Sequence, residues 1–180
     1  MTNEIIIAGF GGQGVLSMGK ILAYDALISG RQVSWMPSYG PEQRGGTANC
    51  TVIISDEEIS SPIVDTYDMA IVLNQPSMDK FQNAVKTGGK LIYDPHGIIT
   101  PPTRSDIDIY SIDAMTEAAR MHNTRTFNMI VLGGLLTVIG AVSEENITLA
   151  LKKTLPERHH SLIPANIEAL HRGAEIIRKV

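Results

Sequence analysis

The chain has 180 residues, 43% of them hydrophobic and 19% charged, proportions ordinary for a compact globular protein and sufficient for a layered core. A net charge of −4 without any basic cluster argues against nucleic acid as a partner. The single cysteine, Cys50, reads as a small buried residue on a strand; one thiol forms no intrachain disulfide and cannot hold an iron–sulfur cluster, which takes about four.

Met1-Thr2-Asn3-Glu4 enters a strand at once, with no charged leader before an apolar stretch, which points to a cytoplasmic location. Glu4 to Ala8 is the first strand. Gly9-Phe10-Gly11-Gly12-Gln13-Gly14 follows directly, and Val15 to Ser29 then carries apolar residues at helical spacing, with Gly30 at the C-cap. Strand, glycine turn and helix in this order let backbone N–H groups approach an anion at a helix N-terminus, so Gly9, Gly11, Gly12, Gln13 and Gly14 are candidate ligand or anion contacts. Gln32 to Met36 is the second strand and closes a βαβ unit, expected to be parallel and right-handed. A nicotinamide-binding unit carries an acid at the tip of that strand, about 20 residues past the turn. Here the strand runs into Pro37-Ser38-Tyr39-Gly40-Pro41, which argues against an independent dehydrogenase.

Thr47 to Ile54 is the third strand, followed by the polar turn Ser55-Asp56-Glu57-Glu58. The connection from Pro37 to Gly46 holds no helix and is too short for a crossover, which favours an antiparallel pair of the second and third strands, and hence a mixed sheet. Met69 to Leu73 is the fourth strand. Pro76 opens a helix with Met78, Phe81 and Val85 on one face, ended by Gly88-Gly89. Lys90 to Tyr93 is the fifth strand, closed by Asp94-Pro95-His96-Gly97, and Thr100 to Thr103 is a surface connection. Ile107 to Ile112 alternates and reads as a half-buried or edge strand. Asp113 caps a helix running to about Met121, Ser143 with Glu144 and Glu145 starts another, and Pro164 to Val180 is the last. The uncharged, mainly apolar run Phe127 to Val142 falls short of the roughly 20 residues of a membrane span. It reads as a helix covered on all sides, and in so small a chain the covering is expected to come partly from another chain, so that the isolated chain self-associates. Together these elements predict an α/β fold: a three-layer, Rossmann-like, mixed and mainly parallel sheet with a helical C-terminal third, in a single domain over 1–180.

Between the second and third strands, Ser38-Tyr39-Gly40-Pro41-Glu42-Gln43-Arg44-Gly45-Gly46 exceeds the two to six residues, roughly, that such a connection needs. Long loops of fixed polar chemistry are often functional. Arg44 lies between glycine-containing flanks that permit close approach, and its planar fork suits a carboxylate or phosphate. The alternative is a solvated loop in which Glu42 and Arg44 are charged decoration. Asn74, just past the fourth strand, is either a ligand or partner contact or a simple helix cap. Asp94, His96 and His122 match no metal-ligand spacing, and no metal is expected. His159-His160 reads as a solvated pair in a linker. Ser17 and Ser38 lack a nearby base, which disfavours a hydrolase.

Gly9 to Val15, Ser38 to Gly46 and Val52 to Glu58, with Asn74-Gln75-Pro76-Ser77 and Gly89 to Pro95, together resemble the gamma subunit of 2-oxoacid:ferredoxin oxidoreductases. The resemblance covers about residues 3 to 180. Within the family the chain is similar to the 2-oxoglutarate and branched-chain ketoacid (ketoisovalerate) branches, with 2-oxoglutarate slightly ahead. The resemblance implies oxidative decarboxylation of a 2-oxoacid, with coenzyme A taking the acyl group and ferredoxin the electrons. It implies that thiamine diphosphate, magnesium and iron–sulfur clusters sit on partner subunits, since the chain lacks the Gly-Asp-Gly motif for thiamine diphosphate and has one cysteine. The expected partners are alpha and beta subunits and a ferredoxin-like delta subunit, with ferredoxin met through the complex. No residue of this chain is expected to be catalytic. Ser38, Tyr39, Gly40, Pro41, Glu42, Arg44, Gly45, Gly46 and Asn74 become candidates for a partner or active-site contact, and coenzyme A a candidate ligand of the glycine turn. A rival reading is a stand-alone nucleotide-sensing Rossmann-like module, which would purify without thiamine-binding partners.

Overall fold

The computed structural model describes residues 1–39, 46–140 and 143–180. In chain order the elements are β1 (Thr2–Phe10), α1 (Val15–Ile28), β2 (Gln32–Tyr39), β3 (Thr47–Ser55), β4 (Tyr67–Val72), α2 (Gln75–Phe81), β5 (Val85–Tyr93), β6 (Asp108–Ser111), α3 (Ala114–Arg120), α4 (Phe127–Ile139), α5 (Glu144–Thr154), α6 (Ile163–Ile176) and β7 (Arg178–Lys179). The strands form one sheet in the order β2-β3-β1-β4-β5-β6-β7. β1, β4, β5 and β6 are parallel; β3 is antiparallel to both β1 and β2, and β7 to β6. The mixed sheet expected from the sequence is present, and the last third of the chain is helical.

The central strand explains the layering. Ile5, Ile6 and Ile7 are all buried, as a strand covered on both faces requires. Ile5 and Ile7 join the larger core with α1, α3, α4, α5 and α6, whereas Ile6 and Ala8 join a smaller one beneath Met78 and Phe81 of α2. The three layers are therefore unequal, with most helices on one face.

Three expectations change. β1 and β2 run in the same direction but are not neighbours, because β3 lies between them. The β2–β3 ladder runs unbroken from Gln32↔Ser55 to Tyr39↔Ala48, and this sequence-local antiparallel pairing displaces the direct parallel contact a simple βαβ unit would make. The helix after Pro76 ends at Phe81 rather than at the glycine pair. Val85 already pairs with Tyr67, and Gly88-Gly89 lies inside β5, where the β4–β5 register shifts. Gly88 has φ 77°, and a Cβ on Gly89 would press within 2.8 Å of the Asp68 carbonyl, so the pair marks a bulge and not a helix stop. The last helix stops at Ile176, and the chain returns as β7, with Val180 N–H donating to Ile109 O at 2.9 Å.

Several caps fall where the sequence places them. Gly30, at φ 79°, ends α1 in a Schellman arrangement: Arg31 N–H donates to Ala26 O and Gly30 N–H to Leu27 O, both at 3.0 Å. Asp113 accepts from Thr116 N–H and Ser143 from Asn146 N–H.

α4 is buried over Phe127 and Met129–Leu136, and here the covering comes from the same chain. A Cβ on Gly133 would collide with the Leu170 carbonyl of α6, and one on Gly173 with the Ile130 carbonyl of α4. The two helix backbones touch at reciprocal glycines. Gly134 similarly admits Ile112 and Ile177. The expectation that another chain covers this helix is thus corrected for the described part of it; Val142 lies outside the described residues. No helix among the described residues is long and apolar enough to cross a membrane.

Gly133→Ala and Gly173→Ala should each destabilise the chain by about 1–3 kcal/mol or more, because the obstructing atoms are backbone. Urea unfolding monitored by circular dichroism measures this; unchanged midpoints would show that the helices can part without cost.

Asp25 of α1 is 7% exposed, and its Oδ1 has no hydrogen-bond partner among the described residues. Burial pushes its carboxyl up to about 6. A raised carboxylate pKa means that the fold is undisturbed at low pH and loses stability as pH rises from about 4 to about 6. Asp25→Asn should therefore stabilise the chain by about 2–3 kcal/mol at pH 7.5 and by almost nothing at pH 4. Melting temperatures of the two proteins across that range test the crossover.

Candidate functional site

The C-terminal end of β1 turns into α1 through Gly11 to Gly14. Gln13 N–H donates to Phe10 O at 3.2 Å, and Gly12 and Gly14 have φ 98° and 74°. Gly14 is the N-cap of α1 in the left-handed region, and no side chain caps the helix. The first-turn N–H groups and the positive end of the helix dipole are left for a ligand or water. A Cβ at Gly14 would lie 2.8 Å from the Asn128 side chain, so glycine here lets α4 reach the turn.

α4 also begins at this point, again without a side-chain cap, after the short turn Thr124–Thr126. Between the two helix starts is a cavity of about 380 Å³ lined by Gly12, Gln13, Gly14, Ser17, Thr124, Arg125 and Asn128, with Met115 and Phe127. Ser17, Arg125 and Asn128 also line an adjoining cavity of about 480 Å³ that extends past Lys20 and Trp35 toward Leu155 and Leu162. Two helix N-termini and Arg125 thus border one cavity beside the glycine turn, an arrangement suited to a phosphate with an apolar extension. Sequence reasoning missed Thr124, Arg125 and Asn128. The available signal was the polar run His122 to Thr126 directly before an otherwise apolar helix, with Asn128 in the first turn of that helix.

The candidate residues separate by role. Gly12 is exposed with open space around it, and Gly14 faces Asn128. Gly9 points inward, where a Cβ would sit 2.5 Å from Gln13 Oε1 and 3.1 Å from both Leu73 and Val15. Gly11 N–H donates to Gly46 O at 2.9 Å, so the last residue of the Ser38–Gly46 motif is fastened to the glycine turn. Ser38 is exposed at the end of β2, and the backbone of Tyr39 pairs with Ala48. Gly40, Pro41, Glu42, Arg44 and Gly45 lie outside the described residues. Asn74 is 1% exposed and caps α2, its Oδ1 accepting from Ser77 N–H at 2.9 Å; its Nδ2 has no partner among the described residues.

The missing ribose acid acquires a structural reason. The neighbour of β1 on that side is β3, which enters antiparallel with Thr47 opposite Phe10. The place where a dinucleotide fold offers the tip of a parallel strand is occupied by the start of an antiparallel one.

Asp94, His96 and Asp113 bring ligand atoms within 4.8 Å of one another, whereas His122 does not join them. Both Asp94 oxygens accept backbone N–H groups, from His96 at 2.8 Å and Met115 at 3.0 Å, and Asp113 Oδ1 caps α3. These are turn and helix-cap contacts. The His159-His160 pair sits half-buried in a short turn, with His160 Nε2 3.1 Å from Leu155 O.

The family model for pyruvate ferredoxin/flavodoxin oxidoreductase matches residues 4–176. The chain belongs to that family. It is 43% identical over 98% of its length to ketoisovalerate oxidoreductase subunit VorA of Methanothermobacter thermautotrophicus, but it spans only 36% of that protein. It is 34% identical to 2-oxoglutarate synthase subunit KorC of Methanothermobacter marburgensis, covering 98% of this chain and 97% of that one. Among solved structures, the gamma subunit of a keto/oxoacid ferredoxin oxidoreductase from Geobacter sulfurreducens matches with a TM-score of 0.80 and 27% identity, over 99% of both chains. A 2-oxoglutarate:ferredoxin oxidoreductase from Magnetococcus marinus, solved with 2-oxoglutarate, coenzyme A and succinyl-CoA bound, matches with a TM-score of 0.87 and 25% identity, over 97% of this chain and 31% of that one.

The two turn glycines should respond differently to alanine. Gly14→Ala combines a left-handed backbone with a clash against Asn128 and should cost about 2–4 kcal/mol. Gly12→Ala meets open space and should cost only the backbone strain, about 1–2 kcal/mol. Equal losses in thermal unfolding would place the strain in the turn alone and remove the contact with α4 from the account.

Proposed function

We propose that this chain is the gamma subunit of a 2-oxoacid:ferredoxin oxidoreductase, and that its glycine turn holds the phosphate-bearing part of coenzyme A within the assembled enzyme. Membership of the family supports the first part. The observation that carries the second is the convergence of the α1 and α4 starts, with Arg125 and Asn128, on one open cavity beside Gly12. Coenzyme A carries phosphates at one end and an extended, partly apolar arm. The turn with Arg125 fits the former, and the adjoining trough past Trp35 and Leu155 fits the latter. The coenzyme A-bound relative from Magnetococcus marinus supports this choice of ligand over a dinucleotide.

In this reading the subunit does no bond chemistry itself. Its N–H groups and Arg125 neutralise and orient the anionic end of the acyl acceptor, which holds the thiol in register with a reacting centre on another subunit. Alpha and beta subunits carry thiamine diphosphate with magnesium, and iron–sulfur clusters lie on partner subunits, including a ferredoxin-like delta subunit. The bond from Gly11 N–H to Gly46 O ties one end of the Ser38–Gly46 motif to the turn, which supports a ligand or partner role for that motif. The 2-oxoacid belongs to the 2-oxoglutarate or the ketoisovalerate branch. The slight preference for 2-oxoglutarate drawn from the motifs is not matched by the identities, which are higher for the ketoisovalerate subunit.

Co-expression with neighbouring open reading frames that encode a thiamine diphosphate motif and ferredoxin-type cysteines should yield a complex that reduces ferredoxin in the presence of a 2-oxoacid and coenzyme A. In that complex Gly12→Asp should raise the coenzyme A KM by about tenfold or more, because a carboxylate would face phosphate at a helix N-terminus. The melting temperature of the variant controls for backbone strain. Failure to form a complex, or an unchanged KM, would count against the assignment. Micromolar NAD binding by the free chain would revive the dehydrogenase reading.

A further inference from the structure

We infer that Gln13 is a positioning residue: its side-chain amide closes the crevice between β1 and β4 and thereby fixes the glycine turn with its open N–H groups on the Arg125 side. The inference rests on the coenzyme A reading above and adds to it a role for the Gln13 side chain, which borders that cavity, in setting the shape of the turn.

The argument begins with topology. Ligands of open α/β sheets gather where neighbouring parallel strands send their connections to opposite faces. Here that point lies between β1 and β4. β1 leads into α1 on the larger-core face, and β4 into α2 on the other. The crevice outside their ends is bounded by Gly9 and Leu73. Gln13 reaches back into it. Its Oε1 accepts the Phe10 N–H at 2.6 Å, and its Nε2 donates to Leu73 O at 3.4 Å. One side chain therefore bridges the last residue of β1 and the residue after β4.

Two features show that this position is built around the amide. Gly9 leaves the space that Gln13 Oε1 occupies, since a Cβ there would come within 2.5 Å of it. Leu73 is 1% exposed, and Gln13 Nε2 stands 3.4 Å from its carbonyl as a donor. With the crevice filled, the turn borders, among the described residues, the cavity lined by Thr124, Arg125 and Asn128. The amide also distinguishes its two ends: one must accept from N–H and the other must donate to C=O. Glutamine meets both demands, an ionised glutamate meets one, and leucine meets neither.

The test uses the assembled complex, with Gln13→Leu, Gln13→Glu and Gly12→Asp compared for coenzyme A KM, kcat and melting temperature. Gln13→Leu should raise the coenzyme A KM about five- to tenfold with kcat at saturating coenzyme A nearly unchanged. Gln13→Glu should behave like Gln13→Leu at high pH, where its second oxygen opposes the Leu73 carbonyl. It should approach wild type as pH falls and the protonated acid donates to that carbonyl. Wild type and Gln13→Leu should lack this recovery. Should Gln13→Leu fail to fold, the pH-dependent rescue of Gln13→Glu carries the test alone. A raised KM in Gly12→Asp with an unchanged KM in both Gln13 variants would overturn the positioning role and leave the coenzyme A reading standing. An unchanged KM in all three would overturn both. A fall in melting temperature with no change in KM would make Gln13 a stabilising contact only.

Discussion

The contact on which the molecule depends is the crossing of α4 and α6 at Gly133 and Gly173. With no side chain at either position, the two backbones meet directly, each glycine against the other helix's carbonyl. This brings α6 close enough to seal α4, whose surface is apolar nearly all round and would otherwise require a second chain. Sealing α4 in turn fixes its N-terminal end. Asn128 is pressed against Gly14 and Arg125 stands beside the glycine turn. A packing decision near the C-terminus thereby determines the chemistry presented at the N-terminus, more than a hundred residues earlier in sequence.

This dependence explains what the amino-acid sequence disclosed and what it withheld. The glycine turn, the Gly30 terminus of α1, the Asp113 and Ser143 caps and the antiparallel β2–β3 pair were legible because each is decided within a few residues. The glycine pair at 88 and 89 was misread for the same reason: a local signal for interruption serves a helix end and a strand bulge alike, and only the pairing of β4 with β5 separates them. The insertion of β3 between β1 and β2 is a choice among distant partners, which hydrophobic periodicity does not encode. The covering of α4 was assigned to another chain because apolarity reports that a surface is buried, not what buries it.

The candidate site divides along the same line. The glycines that shape the turn announced themselves. Arg125, which supplies the charge, did not, because its proximity to Gly12 follows from the placement of α4 and from nothing in its own neighbourhood. The glycines themselves proved unequal: Gly9 and Gly11 are committed inside the protein, to Gln13 and Gly46, while Gly12 and Gly14 face the cavity. A motif read as one continuous cradle is half scaffold and half surface.

β2 closes one side of the sheet and is an eight-residue strand without a charged side chain, a profile that invites further strands to join. Pro37 interrupts it. A residue with no N–H breaks any ladder that a newcomer would build along the outer side, so added chains could register only over the stretch before it. The sheet is thereby protected from open-ended stacking by a missing rung instead of by electrostatic repulsion, and that protection is indifferent to ionic strength.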